Sequence, residues 1–141
     1  DTTVLDIGTG SGILAIASLL LGAKSAIGVD IDAKAVETAI ENAKTNGVSD
    51  RCEFLEGDLC DKIDGKYDVV TANIVADVII SLLRYISNFM KENATLIVSG
   101  IIDERRQDVE KAVVKNGFII CDDRSGNGWV ALALNRKSEE K

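Results

Sequence analysis

Asp6-Ile7-Gly8-Thr9-Gly10-Ser11-Gly12 is the stretch on which the fold turns. Before it, Val4-Leu5-Asp6-Ile7 is a short apolar strand. After it, Gly12–Leu21 is a continuous apolar segment of helical length, closed by Gly22. A buried strand thus passes into a helix through three glycines on alternate positions. Gly8 allows a tight turn, Gly10 lets a ligand approach the main chain, and Gly12 opens the helix where free N–H groups point outward. A plain strand-to-helix turn needs fewer glycines. A P-loop requires Gly-Lys-Ser/Thr after the bend, and Ile13-Leu14 follow instead. The dinucleotide pattern G-x-G-x-x-G requires glycine at position 13, where Ile13 stands.

Outward from the loop, short apolar strands and helices alternate. Ser25–Asp30 predicts a second strand, and Asp32 is placed to cap a helix over Ala33–Asn46, with Val36, Ala39, Ile40 and Ala43 on one face. Cys52–Glu56 and Lys66–Asn73 read as strands three and four, and Ala76–Met90 as a long apolar helix. Ala94–Ser99 is a fifth strand and Asp103–Asn116 an amphipathic helix that Gly117 stops. Phe118–Asp122 and Trp129–Leu134 follow with no room for a helix between them, so the connecting Asp123–Gly128 predicts an antiparallel hairpin. The expectation is an α/β fold of the Rossmann-like kind. Its sheet has seven strands, mostly parallel with one antiparallel, and helices cover both faces. Residues 1–136 are expected to form one domain and 137–141 a frayed, charged tail.

The chain has 141 residues, enough for one core, with 46% hydrophobic and 28% charged residues. Its net charge of −7 disfavours binding to a nucleic-acid backbone. There is no histidine, which removes Ser-His-Asp, Cys-His and His-ligated metal chemistry. Cys52, Cys60 and Cys121 lack C-x-x-C spacing and are too few for a histidine-free zinc site, so no metal is expected. They read as buried or half-buried thiols of a reducing cytoplasm. No apolar run approaches the roughly 20 residues that a membrane span needs. The sequence opens almost directly on a core strand, as a piece of a longer protein would.

The pattern acid-x-G-x-G-x-G, with Asp6 as its acid, resembles the S-adenosylmethionine loop of Class I methyltransferases. Asp30 ends the second strand, and the tips of strands one and two flank one crevice in a doubly wound sheet. A carboxylate there can accept both ribose hydroxyls, at about 1.5–3 kcal/mol each, and would repel a 2′-phosphate. Ile31, next in the chain, is counted with the cofactor-binding residues, as are Asp6 and Asn73. Asp32 is a rival acid but is better placed as the helix cap. Asp58 is positioned either to meet the adenine edge or to be a solvated loop acid. Asn73 ends strand four, where its amide either lines the place of methyl transfer or caps the helix that follows.

Asp6–Ile16, Gly28–Asp32, Asn73-Ile74-Val75-Ala76, Ser99-Gly100-Ile101-Ile102 and Trp129-Val130-Ala131-Leu132 together resemble the PrmA family, the bacterial methyltransferases of the ribosomal large-subunit protein eleven. The resemblance covers nearly the whole chain. It implies methyl transfer from S-adenosylmethionine to a lysine ε-amine and an N-terminal α-amine of that ribosomal protein. Gly8 and Gly10 would pack on the methionine part, Asp30 would hold the ribose, and Asn73 would be the catalytic residue lining the transfer site. The resemblance also implies an N-terminal substrate-recognition domain and a cofactor segment ahead of strand one, both outside this sequence. Three alternatives stand beside it. One is a Class I methyltransferase of RNA or small molecules, which the acidic charge and the lack of Asn-Pro-Pro at Asn73 disfavour. The second is an NAD-dependent oxidoreductase domain, which Ile13 disfavours. The third is a non-catalytic cofactor-binding module.

Overall fold

In the computed structural model, which describes residues 1–137, β-branched and apolar runs form the strands and the amphipathic stretches form the helices. The strands are β1 (Thr3–Ile7), β2 (Ser25–Asp30), β3 (Cys52–Glu56), β4 (Tyr67–Asn73), β5 (Met90–Ile102), β6 (Phe118–Gly126) and β7 (Trp129–Arg136). The helices are α1 (Ile13–Leu20), α2 (Ala33–Thr45), α3 (Ala76–Leu82) and α4 (Arg106–Lys115). The sheet order is β3-β2-β1-β4-β5-β7-β6, parallel throughout except for β7, which runs antiparallel to both of its neighbours. This is the expected seven-stranded Rossmann-like sheet.

Side chains alternate across the pleat and feed two cores. On one face Val4, Ala26 and Phe54 pack under α1 and α2, which contribute Ala15, Ile16, Leu19, Val36, Ala39 and Ala43. On the other, Leu5, Ile7, Val70, Leu96 and Val98 pack under α3 and α4, through Ile79, Leu82, Val109 and Val113. Asp32 caps α2 as expected, accepting from the Lys34 N–H at 3.0 Å.

Three expectations are corrected. The helix expected over Ala76–Met90 ends at Leu82. Arg84 and Tyr85 then donate to the carbonyls three residues back, a 3₁₀ turn covers Ile86–Phe89, and β5 begins at Met90 instead of Ala94. Leu82, Leu83, Ile86 and Met90 are all buried. A segment buried on several sides shows an unbroken apolar run, which periodicity cannot separate into helix and strand. Second, the hairpin loop is not Asp123–Gly128 but the two residues Asn127-Gly128. Both have positive φ, 53° and 82°, the signature of a type I′ turn that prolongs β6 and β7. Third, strand and helix do not alternate between β3 and β4, which are joined by turns over 57–66. Of the expected tail, Lys137 is exposed and its N–H donates to the Gly117 carbonyl, while 138–141 lie outside the described residues.

Candidate functional site

β1 has β2 on one side and β4 on the other, and the chain winds outward in opposite directions from this pair. Ligands of open α/β sheets sit at such a switch point, beyond the carboxyl ends of the strands. Residues 8–12 lie there. Gly8, Gly10 and Gly12 all have left-handed backbones, with φ of 71°, 56° and 83°. The Gly8 and Thr9 N–H groups both donate to the Val29 carbonyl, which turns the chain back over the end of β2. Each glycine meets a different surrounding. A Cβ on Gly8 would fall 2.7 Å from Ile74 Cγ2, and one on Gly12 would press on Ala39 and Phe54 at 3.0 and 3.1 Å. A Cβ on Gly10 would meet nothing within 4 Å. Gly8 and Gly12 therefore serve packing, and Gly10 leaves its main chain open to an incoming group.

Asp30, half-buried at the end of β2, holds this loop from the side. Its Oδ2 accepts from the Gly10 N–H at 2.9 Å and its Oδ1 from the Asp32 N–H at 3.0 Å. Each oxygen keeps acceptor capacity for a further donor. Ile31 follows with its side chain 71% exposed, an apolar face beside the acid. Asp58 is exposed beyond β3, where Leu59 takes a left-handed φ of 52°. Asp58, Leu59, Cys60, Asp61 and Tyr85 line a cavity of about 360 Å³. Burial there pushes the Cys60 thiol up to about 11, so it is a packing group and not a nucleophile.

Asp6 lies elsewhere than the ligand-contact position expected of it. It is buried beneath the loop, and its two oxygens accept from the Thr9 hydroxyl at 2.8 Å and the Thr71 hydroxyl at 2.6 Å. Burial raises its carboxyl above the usual range, against the pull of those two hydrogen bonds. Asp6 thus ties the loop to β1 and β4 from below and does not face the crevice.

Asn73 is exposed at the end of β4, and it does not cap α3, whose N-cap is Val75. It pairs with Ser99 of β5. A groove of about 220 Å³ opens next to it, lined by Ser99, Gly100, Arg124, Trp129 and their neighbours. Arg105 joins Asp77 of α3 to Asp108 of α4. Among the described residues, no cluster of three His, Cys, Asp or Glu is placed to hold a metal.

Sequence reasoning passed over Thr9, Gly28, Phe54, Thr71 and Gly100. A Cβ on Gly28 would sit 2.6 Å from the Phe54 ring and 2.7 Å from Thr9 Oγ1, so Gly28 makes room for the base of the loop. A glycine inside Ser25–Asp30 was the available signal, because strand interiors avoid glycine unless something approaches closely.

The family model described as ribosomal protein L11 methyltransferase (PrmA) matches residues 1–137. This chain belongs to that family. A PrmA relative from Alkaliphilus oremlandii (strain OhILAs), named ribosomal protein L11 methyltransferase, is 47% identical over 137 residues, which are 97% of this chain and 44% of the relative. The crystal structure of the ribosomal protein L11 methylase from Lactobacillus delbrueckii subsp. bulgaricus superposes with a TM-score of 0.94 at 37% identity, covering 97% of this chain and 71% of that one. An RNA methyltransferase from Salinibacter ruber, in complex with S-adenosyl-L-homocysteine, shares the fold at a TM-score of 0.79 and 23% identity, over 99% of this chain and 84% of that one. The present PrmA chain spans less than half the length of the curated relatives it matches.

Proposed function

We propose that this chain carries the cofactor-binding and catalytic part of an S-adenosylmethionine-dependent protein methyltransferase. Its acceptors are a lysine ε-amine and the N-terminal α-amine of ribosomal protein L11. The observation that carries this reading is the bond from the Gly10 N–H to Asp30. It sets an open glycine main chain and a carboxylate with unused lone pairs side by side at the switch point. That pair fits an adenosyl sulfonium compound. The bare Gly10 face accommodates its methionine part, and Asp30 accepts from its ribose hydroxyls. Ile31 supplies an apolar flank for the adenine and Asp58 an acceptor at its edge. Asp6 acts from beneath by fixing the loop.

When bound, S-adenosylmethionine supplies an electrophilic methyl carbon whose sulfur leaves as a neutral thioether. The chain's task is to position the amine and exclude water. Asn73 orients the amine lone pair through its side-chain or backbone carbonyl. With no histidine in the chain, the ammonium gives its proton to water before attack. In this reading substrate recognition falls to an N-terminal domain of the longer protein. The acidic balance supports a protein acceptor over a nucleic acid, and among the described residues no helix is long and apolar enough to cross a membrane. We place the enzyme in the cytoplasm, where its ribosomal acceptor is made.

The test uses the polypeptide at the relatives' full length. S-adenosylhomocysteine is expected to raise its melting temperature and NAD to leave it unchanged. Labelled methyl from S-adenosylmethionine is expected to enter ribosomal protein L11. Stabilisation by NAD alone would overturn the reading, as would L11 that stays unlabelled while another substrate is methylated.

A further inference from the structure

The pairing of β5 with β7 is regular up to Val98 and resumes at Ile101, so Ser99 and Gly100 form an irregularity inside β5. Gly100 takes a left-handed φ of 80° there. A Cβ on Gly100 would fall 2.6 Å from Asn73 Oδ1 and 3.2 Å from the Ile74 carbonyl oxygen. The Ile74 N–H donates to the Ser99 carbonyl at 3.3 Å, holding the end of β4 over this spot. Among the described residues the Asn73 carboxamide has no hydrogen-bond partner, so its position is set by its backbone and by the floor beneath it. That floor is the bare Cα of Gly100.

From this we infer that Gly100 is a positioning residue for Asn73: the missing side chain at the β5 irregularity is the seat on which the Asn73 carboxamide rests, beside the groove that Ser99 and Gly100 line. The inference rests on the reading of Asn73 as the group that orients the amine. A carbon–oxygen contact needs about 3.2 Å, so a Cβ on Gly100 drives the carboxamide away by roughly half an ångström or more. Displacements of about 1 Å in a positioned group cost on the order of a hundredfold in rate. The Gly10–Asp30 pair lies on the far side of β4, beyond the contacts of Gly100 with Asn73 and Ile74, so the larger effect is expected on turnover rather than on cofactor affinity. Gly100 also lines the 220 Å³ groove, so the seat and the groove meet at one residue.

The experiment uses the polypeptide at the relatives' full length, with labelled S-adenosylmethionine and ribosomal protein L11, and follows Gly100→Ala and Gly100→Asn. Asparagine tolerates the left-handed backbone better than other side chains, so Gly100→Asn tests the space and not the φ, and serves where Gly100→Ala folds poorly. The expected result is a fall in kcat of tenfold or more, with KM for the cofactor and its Kd by calorimetry within about twofold. In an Asn73→Ala background, with no carboxamide left to displace, Gly100→Asn is expected to lower kcat no further. Wild-type kcat in Gly100→Asn, or the same fractional loss with and without Asn73, would overturn the inference. If Asn73→Ala itself keeps full kcat, the reading of Asn73 fails first and the seat loses its meaning with it.

Discussion

Replacing Asp30 by alanine tests the arrangement at its most exposed point. The carboxylate serves two backbone N–H groups in the ligand-free chain, Gly10 at 2.9 Å and Asp32 at 3.0 Å. Water reaches the Asp32 amide, so its loss costs little. The Gly10 amide is partly covered, so the fold loses about 1–2 kcal/mol. In the proposed complex the loss is larger. Two ribose hydroxyls would lose a charged acceptor worth about 1.5–3 kcal/mol each, and water that fills the space would recover part of that. The net loss of cofactor affinity is about 2–4 kcal/mol, or roughly 30-fold to 1000-fold in Kd. Asp30→Asn keeps one acceptor oxygen and turns an NH₂ toward one of the two amides, so it is expected to fall between wild type and alanine. Titration calorimetry with S-adenosylhomocysteine, on the polypeptide at the relatives' full length, measures the affinity, and urea unfolding measures the fold term. An Asp30→Ala protein less stable by the expected amount, yet binding within threefold of wild type, would show that the acid merely braces the loop.

Gly28→Ala places a methyl against the Phe54 ring and the Thr9 hydroxyl at 2.6–2.7 Å, and is expected to destabilise the fold by about 1–3 kcal/mol in urea melts. Phe54→Leu in the same background should recover part of that loss. Gly10→Ala meets open space and pays only for its φ of 56°, about 1 kcal/mol of stability, while its methyl blocks the approach of the cofactor and weakens affinity by roughly tenfold or more. If calorimetry finds Gly10→Ala binding as tightly as wild type, the ligand does not pass over Gly10. Asp6→Asn tests the buried acid through pH. Because the folded-state pKa of Asp6 is raised, wild type is relatively more stable when Asp6 is protonated, and it loses that margin as pH rises from the unfolded value of 3.8 through the folded one. The stability of Asp6→Asn relative to wild type is therefore expected to increase between pH 3.5 and pH 7, and a flat difference across that range in chemical unfolding would contradict the burial argument.

The glycine bend after β1 and the seven-stranded, mostly parallel sheet were legible because alternate glycines and the succession of short apolar strands and helices leave local marks. Asp6 was misplaced because its motif position is correct while its direction depends on the pleat. It shares a face with the half-buried Thr71 of β4, whose hydroxyl it accepts from, 65 residues away, and no local pattern announces that partner. The β6–β7 turn was present in the text as Asn127-Gly128, the strongest short hairpin signal, yet Asp123, Arg124 and Ser125 look like loop residues because both faces of the edge strand meet solvent. Ala76–Met90 failed for the opposite reason: burial on several sides erased the period. Gly100 lay just past the expected end of β5, so the strand irregularity it creates could not be seen until β7 supplied the register.

The seat of β7 between β5 and β6 has a consequence for how this molecule comes into being. β6 is synthesised before β7 but has no other strand to lean on, and the exposed edge of β5 waits for the same partner. Thr95 finds Asn135 only after some 40 further residues have left the ribosome. The first five strands can associate as they emerge, whereas the last two must close together, like a zip whose slider is threaded from the far end. A nascent chain stalled before Trp129 would carry two unsatisfied edges at once, and its tendency to aggregate should vanish abruptly as the segment through Arg136 is released.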